Sequence, residues 1–161
     1  MIKNPVQSFA LSLTLTVFIF LSGTAGFLFA QNSYRADALC GEWWTPDNDG
    51  RIIFFKSGET YSGKVSGFKK PNDPETGKPR LDKHNPDPLL RNRPIMGMVL
   101  FYNFEYSASN DKYINGNLYD SDHGKKYSCW IKLIDKNVLE LHGFVGFSLL
   151  GKSVYFTRVQ K

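Results

Sequence analysis

From residue 38 onward, turn signals interrupt the chain every few residues, and this constrains its fold more than any other feature. The segments 39–45, 51–56, 59–68, 95–104, 113–119, 126–134, 138–144 and 153–159 are rich in β-branched and aromatic residues. Between them lie Pro46-Asp47-Asn48-Asp49-Gly50, Ser57-Gly58, Asp120-Ser121-Asp122-His123-Gly124 and Asp135-Lys136-Asn137. Short strands joined by tight turns read as a sandwich or a barrel. Segment 59–68 alternates cleanly, with Tyr61, Gly63, Val65 and Gly67 on one face and Thr60, Ser62, Lys64 and Ser66 on the other. That pattern describes a strand packed on one side and wet on the other. Segment 95–104 is apolar at both phases and predicts a strand covered on both faces. No stretch carries a sustained helical period. The expected fold is all-β, a single antiparallel up-and-down β-barrel of eight or nine strands, since closure removes exposed sheet edges. A short segment at 147–150 would supply the ninth.

One long connection, 69–94, interrupts the tight turns. Loops of that length are either functional or disordered. Its stretch L-D-K-H-N-P-D-P-L-L-R-N-R-P-I-M-G at 81–97 is too apolar at Leu89, Leu90 and Ile95 for disorder, so an ordered loop is expected.

The first 30 residues carry one charge, Lys3, then an apolar run over 9–21 and small residues from Ser22 to Gly26. This order predicts a cleaved secretory signal peptide over 1–30, with Ala30 before Gln31 as the preferred site and Gly26 before Phe27 as the alternative. The apolar run is shorter than the ~20 residues of a spanning helix. A mature domain of 31–161 follows, large enough to bury its own core and expected in the periplasm or outside the cell. The formal charge of +5 falls to +4 with the loss of Lys3, and the cations are scattered. A nucleic-acid footprint would be a clustered basic stripe, so no nucleic-acid partner is expected, while weak attraction to anionic lipid or polysaccharide is compatible with the surface.

Two cysteines in an exported chain suggest a Cys40–Cys129 disulfide, which would stabilise the fold by roughly 4–5 kcal/mol. Alternation opposes it. Cys129 shares a face with Tyr127, Ile131 and Leu133, whereas Cys40 shares one with Glu42, away from Gly41 and Trp43. The bond and a pair of buried thiols both stay open.

Gly41-Glu42-Trp43 in the first strand and Arg158 in the last resemble the lipocalin arrangement, in which an arginine covers the tryptophan that closes one barrel end. A longer pattern spans Gly41-Glu42-Trp43, Gly63-Lys64-Val65, Asp82 with Asn85-Pro86, Arg91-Asn92-Arg93-Pro94 and Gly97. It continues through Gly116 with Tyr119-Asp120, Gly124-Lys125-Lys126-Tyr127, Gly143 with Gly146, Leu150-Gly151 and Thr157-Arg158. In order and spacing this resembles the bacterial exported family called domain of unknown function 2147, across the whole mature chain. The resemblance implies a lipocalin-like barrel and brings no established activity. Family members tend to carry tryptophan before the final Thr-Arg, where this chain has Phe156.

Chemistry points first to the long loop. Asp82, Asn85, Arg91 and Arg93 are expected at the barrel mouth, the arginines reading an acidic group through their planar forks. The same residues also suit turn caps and local ion pairs. Tyr61 and Phe101, with Val65, Val99, Ile131 and Leu141, would line a cavity for a small, partly apolar ligand. Of 13 Phe, 8 Tyr and 3 Trp, five Phe precede residue 31, so 19 rings remain. They are numerous enough to fill the barrel instead. A filled barrel would fit a cell-envelope structural or interaction module working through outer aromatics such as Trp44, Tyr102 and Trp130. His84, His123 and His142 lie on separate segments, and no metal or other cofactor is expected. The Asp47–Gly50 run reads as a hairpin turn rather than a calcium loop. No nucleophile motif supports an enzyme.

Overall fold

Eight strands wind in chain order into one closed barrel, seen in a computed structural model that describes residues 35–146 and 151–160. They are β1 (Gly41–Trp44), β2 (Gly50–Ser57), β3 (Thr60–Phe68), β4 (Val99–Ser107), β5 (Lys112–Asp120), β6 (Lys125–Leu133), β7 (Val138–Phe144) and β8 (Lys152–Arg158). Every neighbour pair is antiparallel, and β8 closes on β1 through Trp43↔Arg158 and Trp44↔Thr157. The expected signal peptide, 1–30, and the candidate strand 147–150 lie outside the described residues. All eight strands and the core belong to the unit Ala38–Lys161.

Two strands depart from the sequence expectation by more than one residue. The first strand begins at Gly41 because a 3-10 turn over Asp37–Leu39 occupies the preceding positions. The fourth begins at Val99 rather than at residue 95, and runs on to Ser107. Residues 95–98 do other work: Ile95 N–H donates to the Arg80 carbonyl, and Gly97 N–H donates to the Val65 carbonyl. Ile95 is thereby held within the loop, while Gly97 and Met98 meet β3 only at Val65. Nor is β4 covered on both faces, since Val99 is 44% exposed.

The two ends of the barrel are built differently. At the closed end, the 3-10 turn and the turns β2–β3, β4–β5 and β6–β7 gather around Leu39 and Trp43, both fully buried. Trp43 Nε1–H donates to the Leu39 carbonyl at 2.9 Å, and Leu39 N–H donates to the Tyr113 hydroxyl at 3.1 Å. Arg158 lies over the Trp43 ring at 4.0 Å and donates to the carbonyls of Cys40 (3.1 Å), Ala38 (2.6 Å) and Lys136 (2.6 Å). One guanidinium thus combines cation–π contact with caps on three backbone acceptors that no strand satisfies. Burial pulls its pKa down, but an arginine has ample margin to stay charged.

Aromatic rings fill the middle of the barrel. Phe54 meets Phe101 at 5.3 Å, Phe101 meets Phe156 at 6.0 Å, and Tyr61 meets Tyr113 edge-on at 5.3 Å. Two glycines make room for them. A Cβ on Gly116 would lie 2.1–2.5 Å from the Phe104 ring, and one on Gly63 would lie 2.8 Å from the Phe54 ring. Alternation is also broken twice, at Asn103 (φ 64°) and Asn115 (φ 59°), residues whose short amide side chains tolerate left-handed backbone. These breaks let Phe101 and Phe104, three apart, both point inward, and likewise Tyr113 and Gly116. Cys129 is buried in the same core and is not bonded to Cys40. Burial pushes its thiol pKa up to about 12, so it behaves as a small apolar side chain.

Candidate functional site

The open end carries the turns β1–β2 and β5–β6 and the long β3–β4 loop. Within that loop Arg80–Asp82 runs antiparallel to Arg93–Ile95, held by Ile95 N–H to Arg80 O, Asp82 N–H to Arg93 O and a bridge between Leu81 and Pro94. This short ladder has two sides. One faces the barrel mouth, the other the outer wall.

On the mouth side is a pocket of about 320 Å³. Its floor is apolar, from Ile52 on β2, Val65 and Phe68 on β3, and Ile95 of the loop. Its rim is polar, from Thr45, Asp47, Asp49, Arg80, Ser121 and Asp122. The β1–β2 turn is braced by Thr45, whose hydroxyl donates to Asp47 at 2.5 Å and accepts from Gly50 N–H at 2.9 Å. That hydroxyl is the main reason the Asp47 carboxyl sits below its ordinary pKa despite partial burial, so it is anionic at neutral pH. Arg80 bridges turn and loop. It pairs with Asp49 at 2.7 Å and lies 4.5 Å over the Phe68 ring, while its Nε is buried with no hydrogen-bond partner. Three carboxylates against one guanidinium leave the rim acidic.

On the outer side, the loop residues singled out from sequence meet one another. Asp82, fully buried, accepts from the Tyr119 hydroxyl (2.7 Å), Asn85 Nδ2 (2.7 Å) and Arg93 Nε (2.9 Å). Asn85 also donates to the Tyr119 oxygen at 3.0 Å, and its own Oδ1 accepts from Asp87 N–H at 2.9 Å. Arg91 Nε donates to the Asn85 carbonyl at 2.8 Å. Tyr119 pairs with Lys126, one step out of phase with Leu118, which pairs with the inward-facing Phe101. The network therefore pins the loop to the outside of β5. Burial raises the Tyr119 pKa and the Asp82 carboxylate beside it adds to the effect.

Asp82, Asn85, Arg91 and Arg93 are thus gathered in one place, but none of them lines the mouth pocket. Of the expected cavity-lining residues, Val65 does. Tyr61, Phe101, Ile131 and Leu141 are packed in the core, and Val99 is on the outer surface. Trp44 is half-buried, with Lys69 and Arg51 over its ring; Tyr102 and Trp130 are half-buried too. Sequence reasoning passed over Arg80 and treated Asp47 and Asp49 only as turn formers. Their signal is the long-range pairing of 80–82 with 93–95, which no local pattern reveals. Among the described residues, no cluster of His, Cys, Asp and Glu is arranged to hold a metal ion.

Comparison with known proteins fits this geometry. The model of domain of unknown function 2147, a family described as uncharacterized proteins conserved in bacteria, matches residues 41–158. The chain belongs to that family. A solved structure from the human pathogen Helicobacter pylori, described as belonging to the lipocalin family, superposes with a TM-score of 0.62. The two are 22% identical, and the match covers 76% of this chain and 83% of the other. Its likeness supports a lipocalin-like barrel. No curated protein matches the chain. No helix among the described residues is long and apolar enough to cross a membrane.

Proposed function

We propose that this family member is an exported protein that binds a small, partly apolar molecule at the barrel mouth. The observation that carries the reading is a concave apolar floor of Ile52, Val65, Phe68 and Ile95 held open to solvent beneath a polar rim. At about 320 Å³ the pocket is at the small end of ligand sites, and a few convergent polar groups over an apolar base are what such sites share. The core below is packed, so a ligand seats at the mouth rather than deep in the barrel. The acidic rim favours a ligand whose polar end is a hydrogen-bond donor or a cation. The order of charge, apolar run and small residues over 1–30 supports export, and with it a periplasmic or extracellular location.

A screen of small amphiphilic compounds by thermal shift tests the reading. Compounds with an apolar body and an amine or hydroxyl end are expected to raise the midpoint, by about 2.7 kcal/mol of stabilisation at a hundred times Kd. Ile95→Trp, which fills the pocket from the loop side, should abolish the shift. Equal shifts in that variant would place binding elsewhere.

The packed core and the exposed apolar side chains also favour a second reading, an interaction module that works through its outer surface.

A further inference from the structure

Seven large apolar side chains are exposed among the described residues, and four of them fall between 89 and 99: Leu89 (89%), Leu90 (38%), Met96 (46%) and Val99 (44%). The first two form the 3-10 turn Pro88–Leu90 at the tip of the long loop. A leucine exposed on a flexible tip needs no explanation, because it can fold against whatever is near. This tip is held. Asp87 caps it by accepting from Leu89 N–H at 2.9 Å, Arg91 N–H closes on the Pro88 carbonyl, and Arg91 and Asn85 tie its base to the buried Asp82–Tyr119 network.

Beside the tip runs an outer groove of about 420 Å³ lined by Leu90, Val99, Tyr102 and Tyr119, with Arg93 and Lys126 on its walls against two carboxylates, Asp87 and the Asp82 that pairs with Arg93. Arg91 follows the turn directly and is exposed. With Arg91, Arg93 and Lys126 against Asp82 and Asp87, the patch is apolar at its crest and carries a net charge of +1 at its base. An interfacial membrane anchor has that layout: the apolar crest enters the acyl boundary while cations at its base meet anionic headgroups. A rigid crest loses little conformational entropy on insertion.

We propose that the Pro88–Leu90 turn and its basic flank dock on an anionic lipid surface. The inference is independent of the mouth-pocket reading, because it uses the opposite side of the loop ladder.

Flotation of the domain, residues 31–161, with vesicles of phosphatidylglycerol and phosphatidylcholine tests it, against vesicles of phosphatidylcholine alone. The domain should float with the anionic vesicles, less so as salt is raised, and stay behind with the neutral ones. Leu89→Asp, at a site too exposed to matter for folding, should weaken binding at least about tenfold with an unchanged unfolding curve. Arg91→Ala should weaken it about fivefold. The proposal is overturned if the domain stays unbound with anionic vesicles or if Leu89→Asp floats as the wild type does. It is equally overturned if the domain sediments as a dimer that Leu89→Asp dissociates, since a second copy would then cover the patch.

Discussion

Trp43→Ala is expected to lower the unfolding free energy by about 3–5 kcal/mol, the range for deleting a large, fully buried aromatic side chain. The loss comprises three effects. The indole leaves a cavity at the closed end, the Leu39 carbonyl loses its Nε1–H donor, and Arg158 loses the ring beneath it. A domain of this size has about 5–15 kcal/mol in total, so the midpoint should fall by roughly 10–20 °C. Arg158→Ala should be nearly as costly, because the Cys40, Ala38 and Lys136 carbonyls each lose a donor. Arg158→Lys should recover little, since one ammonium cannot span three acceptors and the ring. A double-mutant cycle by urea denaturation should give a Trp43–Arg158 coupling of about 1–2 kcal/mol. Single losses below 1 kcal/mol would show that the closed end is not held by this pair.

Asp82→Ala should cost about 3 kcal/mol and shift the midpoint by roughly 10 °C, because it leaves Tyr119, Asn85 and Arg93 facing an empty acceptor site. The half-exposed Arg93 can recover some hydration, which keeps the effect below that of a fully buried pair. The network also has a pH signature. Burial pushes the Asp82 carboxyl up, but the donors of Tyr119, Asn85 and Arg93 outweigh it, and its pKa lies below the ordinary 3.8. A depressed carboxylate contributes stability that is fully present above its unfolded value and is lost as pH falls through the folded one. Stability should therefore decline in acid, below about pH 4, and the decline should be shallower in Asp82→Asn. Thermal midpoints of both proteins across that range measure it. Parallel acid limbs would remove Asp82 from the account.

The strand count and the closed topology were legible because turn chemistry punctuates the chain so regularly. What local pattern missed were places where distant segments decide. Ile95 reads as strand, yet its N–H is taken by Arg80 fifteen positions earlier, so the strand starts at Val99. The inward turn of both Phe101 and Phe104 needs the left-handed Asn103 between them, a break that alternation cannot anticipate. The loop residues Asp82, Asn85, Arg91 and Arg93 drew notice for their chemistry. In the fold that chemistry is directed at one another and at Tyr119, on the outer wall. Arg80, which does face the mouth, looks in sequence like one more scattered cation. A charged side chain gains a role only from what the tertiary structure puts opposite it.

The central claim is that the barrel mouth holds a small molecule. Native mass spectrometry of the protein purified from its native host, at low activation energy, tests it most directly. A stoichiometric extra mass, lost on denaturation and absent from Ile95→Trp, is the predicted result. A bare polypeptide mass, or an adduct that Ile95→Trp retains, would contradict it.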